Sequence, residues 1–240
     1  MTVNNPDKSS LYEQVKQFYY SVIHYDYDQP IIIKFLQKYC KRDCKVLDVG
    51  CGYGKKTIAL AAAGYQVLGV EVNHQLVTAN QKKGINCISV EEFEQHTDKF
   101  DVILMSHIIE HFHPYDLKDF MDYYLDKLEL GGHLIIATPL LTEYFYDDFD
   151  HIKPYLPVGI LMVFGQSITQ VQYYSRNKLS LTDLKFRRRH LRFTLFKGKY
   201  IRNWTTRFYQ FAEFISGLLC LASFGWLGIK DGWVGIFKKV

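Results

Sequence analysis

Between residues 45 and 138, short apolar runs alternate with segments whose apolar positions recur at helical spacing. This predicts strands near 45–49, 66–71, 86–90, 100–105 and 133–138, with helices near 54–63, 74–82 and 115–128. The apolar runs show little two-residue alternation, as expected of strands covered on both faces. Strand–helix alternation implies parallel pairing with right-handed crossovers, an α/β class. Upstream, 11–25 reads as a helix with Ser10 as N-cap and Glu13 at capping-box spacing. A second helix is expected over 31–39, with Pro30 in its first turn. Residues 140–157 are aromatic, acidic and interrupted by Pro154 and Pro157, the composition of an active-site loop. A short helix is expected over 158–165 and a sixth strand over 167–175, where Ile168, Val171 and Tyr173 alternate. A basic region, 176–207, leads into an apolar stretch, 208–229, whose only charge is Glu213. A last strand is expected over 232–239.

The first apolar run ends in an acid and opens into glycines: Val46-Leu47-Asp48-Val49-Gly50-Cys51-Gly52-Tyr53-Gly54. Strand, glycine turn and helix in that order form the first unit of a nucleotide-binding α/β fold. The spacing G-x-G-x-G differs from the dinucleotide G-x-G-x-x-G and lacks the Lys-Ser/Thr of a P-loop. A carboxylate closing the second strand is well placed to accept from both hydroxyls of a ribose. Glu71 occupies that position.

These residues resemble motif I of the class I S-adenosylmethionine-dependent methyltransferases. Gln66–Glu71, Phe100–Ser106 and Leu130–Pro139 match the family's later strands in order, so the likeness is close over roughly 40–140 and looser elsewhere. It implies a doubly wound, mostly parallel seven-stranded sheet whose last strand is antiparallel. The expected organisation is one methyltransferase domain over 1–240: a helical cap (1–40), a cofactor-binding core (41–140) and an acceptor-side region (141–240) with an insertion over 176–229. The resemblance implies S-adenosyl-L-methionine as cofactor, over Gly50 and Gly52, with Asp48 acting near its ammonium group or through water. Glu91 or Glu92, after the third strand, would reach the adenine amino group. Ser106 is a further lining residue.

His107-Ile108-Ile109-Glu110-His111 superficially matches the inverted zinc-protease motif H-x-x-E-H. Its place after the fourth strand of such a core excludes that reading. The segment is similar to the acid-x-x-Glu-His of quinone O-methyltransferases, where a Glu/Glu/His set is associated with a divalent metal. His107 stands where the first Glu would be, so a divalent metal is compatible with the segment but not expected. Methyl transfer to a hydroxyl needs a positioned acceptor and a base, a task that suits neutral imidazole. The candidates are His111 and His151. The latter lies in a segment similar to the family's D-H-x-R-x-Y, with Asp150 to orient one imidazole. The [Asp/Asn/Ser]-Pro-Pro-aromatic signature of base-amine methylation is absent, no nucleophilic Cys follows strand 4 or 5, and no RNA-binding module is recognisable, so nucleic acid is not an expected partner.

Composition adds three things. Eighteen Tyr and 17 Phe exclude disorder except over residues 1–9. Five scattered cysteines and no apolar leader point to reduced thiols in the cytoplasm, and Cys40 and Cys44 lack the further ligands of a zinc site. Residues 1–150 carry 14 Lys/Arg against 22 Asp/Glu, and residues 151–240 carry 15 against 3. A basic segment joined to an apolar one suggests a lipid-linked acceptor or an anionic membrane surface met peripherally, at the inner face. The expected activity is therefore S-adenosylmethionine-dependent methyl transfer to an oxygen of a small or lipid-linked saccharide or lipid acceptor. The alternatives are quinone-type phenol O-methylation and an RNA-binding protein that keeps the fold. Oligomeric state is not legible.

Overall fold

The computed structural model describes residues 8–193, 201 and 203–240. A seven-stranded sheet runs in the order β3-β2-β1-β4-β5-β7-β6. Its strands are β1 (Lys45–Val49), β2 (Gln66–Glu71), β3 (Cys87–Ser89), β4 (Phe100–Ser106), β5 (Leu128–Pro139), β6 (Leu179–Arg189) and β7 (Ile229–Lys239). β1 to β5 pair in parallel, and β7 runs antiparallel to β5. The helices are α1 (Lys8–Ile23), α2 (Gln29–Tyr39), α3 (Lys55–Ala62), α4 (His74–Lys82), α5 (Val90–Glu94), α6 (Pro114–Leu125), α7 (Pro157–Phe164) and α8 (Trp204–Ala222).

Both faces of the sheet are covered, which is why the strands read as continuous apolar runs. Successive side chains point to opposite faces. Val46, Val102, Leu104 and Ile135 therefore join one buried cluster with Phe35 and Leu36 of α2. Leu47, Ile103, Met105 and Leu134 join the other with Leu117 and Met121 of α6.

The chain forms two compact units: a sheet unit of residues 28–187 and 231–240, and a helical unit of residues 1–27 and 188–230. In the helical unit Phe214 of α8 stacks on Tyr19 of α1 with centroids 5.3 Å apart. Gly217 lies against Val22, where a Cβ would come within 2.7 Å of Val22 Cγ1.

Four expectations are corrected. The sixth strand is β6, not 167–175: the basic run that ends in Arg187-Arg188-Arg189 is itself strand. Ser10 lies inside α1 rather than at its cap, because the helix already runs from Lys8. Arg187 does not offer its charge to an anionic partner with the rest of the basic region. It is 8% exposed and donates to Asp28 at 2.8 Å and Asp231 at 2.9 Å. Of the stretch expected to lack order, Lys8 and Ser9 are helical and residues 1–7 lie outside the described residues. So do Lys197, Lys199 and Arg202 of the basic region.

Candidate functional site

β1 delivers the chain into the glycine loop. Gly50, Gly52 and Gly54 take φ of +66°, +55° and +74°, conformations that glycine adopts without Cβ strain. A Cβ at Gly50 would overlap Ile108 Cδ1, whereas one at Gly52 would meet nothing within 4 Å. The loop thus presents open backbone. Glu71 fastens it: one carboxylate oxygen accepts from the Gly52 amide at 2.8 Å and the other from the Asn73 amide at 3.0 Å. Asn80 Nδ2 donates to the Gly52 carbonyl at 2.8 Å. Asp48 lies beneath the loop, buried, and accepts from Thr57 Oγ1 at 2.7 Å. Burial pushes its carboxyl up to about 6, against the pull of Thr57 and Lys56.

A cavity of about 530 Å³ opens beside the loop. Val49, Gly50 and Val70 form one wall; Phe112, Phe120 and Tyr124 form an aromatic wall, and His111 also lines it. The Ser106 hydroxyl, at the end of β4, is buried and has no hydrogen-bond partner among the described residues. Glu91 and Glu92 do not line the cavity. Glu91 is 64% exposed and 3.6 Å from His74. Glu92 turns back to the Ser89 amide at 2.8 Å, completing a capping box. The acid of α5 that lines the cavity is Glu94. It stands four residues after Val90, on the same helix face, a spacing that could have identified it.

His111 and His151 come together. The Glu110 carbonyl accepts from the amides of Ile152 at 2.8 Å and Lys153 at 3.2 Å, tying the segment after β4 to the loop after β5. The two imidazoles meet edge to face, centroids 4.9 Å apart. His111 Nδ1 is 3.1 Å from the Asp150 carbonyl and His151 Nδ1 is 2.6 Å from the Phe145 carbonyl. A carbonyl only accepts, so each ring carries its proton on Nδ1 and leaves Nε2 as a lone-pair donor when neutral. Asp150 orients an imidazole through its backbone, not its carboxylate. The acid near His151 Nε2 is Asp148, at 3.8 Å. Glu110, His111 and His151 each offer a ligand atom, all within 4.8 Å of one another. Two imidazoles and a carboxylate suit a borderline divalent ion better than magnesium.

His107 is not in that set. It takes φ of +58° at the end of β4, uncommon and costly for a residue with a Cβ. Its Nε2 is 2.9 Å from Asp28 and its Nδ1 3.2 Å from Glu110. Burial opposes its charge, but these two acids outweigh burial and push it up to about 9. The residue in the family's first-acid position is thus a histidine held between two acids, Asp28 and Glu110.

The comparisons with known proteins bear on the family and the fold. Residues 23–208 match a family model described as a methyltransferase domain. The human mitochondrial ubiquinone biosynthesis O-methyltransferase is 32% identical over 114 residues, 42% of this chain. The match spans about 30% of that relative's length. The structure of a SAM-dependent methyltransferase from Archaeoglobus fulgidus superposes with TM-score 0.54 at 20% identity, covering 93% of this chain and 99% of that one. Magnesium protoporphyrin IX methyltransferase from Synechocystis, solved with bound SAH, gives 0.57 at 12% identity over 98% and 96%.

Proposed function

The chain belongs to the methyltransferase-domain family, and we propose that it transfers the methyl group of S-adenosylmethionine to a phenolic hydroxyl of an apolar, quinone-type ring. The observation that carries this reading is a single cavity lined by both Gly50 of the glycine loop and His111. Open backbone at Gly52 and the unpartnered Ser106 hydroxyl fit a polar cofactor beside it. The curated relative named for ubiquinone biosynthesis favours this acceptor over the saccharide or lipid carrier expected from sequence. The aromatic wall of Phe112, Phe120 and Tyr124 suits a planar apolar ring. Such rings are carried in lipid, which fits work at a membrane surface. Among the described residues no helix is long and apolar enough to cross a membrane.

When bound, the cofactor supplies an electrophilic methyl on a sulfonium. The chain's own task is to hold the acceptor oxygen in line and take its proton. His111 is the first base and His151 the second, because each has Nδ1 committed to a carbonyl and Nε2 available. Glu110, beside both rings, stabilises the imidazolium that forms. Alternatively the same three side chains would hold a divalent ion, which would polarise the phenol in place of the two imidazole bases.

Turnover of a catechol probe by purified enzyme tests this. His111→Ala should slow transfer about 10²–10⁴-fold with cofactor affinity unchanged by calorimetry, and His151→Ala should act in the same direction. A metal-assisted reaction would also be abolished by chelation and restored by a divalent ion. Wild-type rates in both variants would remove the two histidines from the mechanism.

A further inference from the structure

Helix α8 is inverted for a water-soluble protein. Its buried residues are Thr206, Glu213, Gly217 and Cys220, polar or small. Its exposed face carries Trp204, Phe208, Phe211, Ile215 and Leu219. At 100° per residue these five fall within one narrow stripe, roughly 22 Å long at 1.5 Å per residue. The chain after the helix continues the theme. Phe224 is 99% and Trp226 83% exposed. α1 adds Leu11, Val15 and Phe18, all exposed. This much exposed apolar surface within one unit marks a docking face.

Charge decides the occupant. Residues 188–230 contain eight Lys/Arg and one acid. That acid, Glu213, is buried, with its carboxylate 3.6 Å from His190. Arg188 donates to the carbonyls of Trp226, at 2.9 Å, and Gly228, so a cation is held at the backbone of a residue whose side chain is exposed. Arg207 is exposed on α8 itself. A second copy would bring cations against cations, whereas an anionic lipid surface neutralises them and accepts tryptophan at the headgroup level.

We propose that the helical unit docks on an anionic bilayer, with the exposed stripe of α8 lying in the headgroup–acyl boundary as an interfacial helix. The proposal holds whatever ring the enzyme methylates.

Co-sedimentation of the full chain tests it, using vesicles of phosphatidylcholine alone and of phosphatidylcholine mixed equally with phosphatidylglycerol. Binding should favour the mixed vesicles by tenfold or more and weaken as salt rises. Phe208→Ser and Phe211→Ser together should lower partitioning by about tenfold per phenylalanine, with thermal melting and cofactor binding unchanged, since both rings face outward. Equal binding to the two vesicle types, or wild-type binding by the double variant, would overturn the assignment. So would a dimer in sedimentation equilibrium that the double variant dissociates while neither protein binds vesicles.

Discussion

Asp48→Asn should make the protein more stable at neutral pH, and increasingly so as pH rises. The Asp48 carboxyl is 2% exposed and pushed up to about 6 from 3.8 by burial. A raised carboxyl means that the folded protein holds its proton after the unfolded chain has released it. Below about pH 4 both states are protonated and the site contributes no difference. Between about 4 and 6 each rise in pH costs the folded state, and above 6 the penalty is constant. The full span is about 3 kcal/mol, at 1.36 kcal/mol per pKa unit. About 1.4 kcal/mol of it falls between pH 5 and 7.5. Asparagine keeps the shape and an oxygen to accept from Thr57 but carries no charge. Urea unfolding of both proteins across that range isolates the site, because every other titration cancels in the difference. The stability gap should widen in favour of the variant by about 1.4 kcal/mol from pH 5 to 7.5. A constant gap, or one that closes, would refute the reasoning. The variant should also bind cofactor more weakly, since a charge kept beneath the loop at a cost to folding is expected where function uses it.

Arg187→Ala should destabilise the protein by about 3–5 kcal/mol, because it leaves Asp28 and Asp231 without their shared cation in a dry site; a urea midpoint near wild type would contradict the buried cluster. Glu71→Ala removes two charge-assisted hydrogen bonds to backbone amides, each contributing about 1.5–3 kcal/mol. Calorimetry should find cofactor affinity reduced at least tenfold, and unchanged affinity would detach Glu71 from the binding site.

The sheet was legible because its strands are buried on both faces and punctuated by glycine: β1 and β2 match expectation to the residue. The last third was harder. Leu179–Arg189 carries Lys185, Arg187, Arg188 and Arg189, a composition that reads as solvated face and hides an outer strand. Arg187 is buried there only because Asp28 and Asp231, distant in sequence, meet it. The pairing of His111 with His151 was half legible. Residue type and position named both, but the backbone carbonyls that fix their tautomers carry no side-chain signal. Glu91 was chosen by nearness to a strand end, while the helical period of α5 turns Glu94 to the cavity instead.

The chain passes between its two units at 27/28, 187/188 and 230/231. On the sheet side those boundary residues are Asp28, Arg187 and Asp231, which hydrogen-bond to one another through the guanidinium. The sheet unit therefore closes its own open ends. Residues 188–230 depart and return at two side chains already in contact, so exchanging that excursion for a shorter or different one asks no new loop closure of the core. Because α1 packs on α8, the excursion and residues 8–27 together are in effect one replaceable cassette. A lineage, or an engineer, can change that segment while the glycine loop and the paired histidines stay as they are.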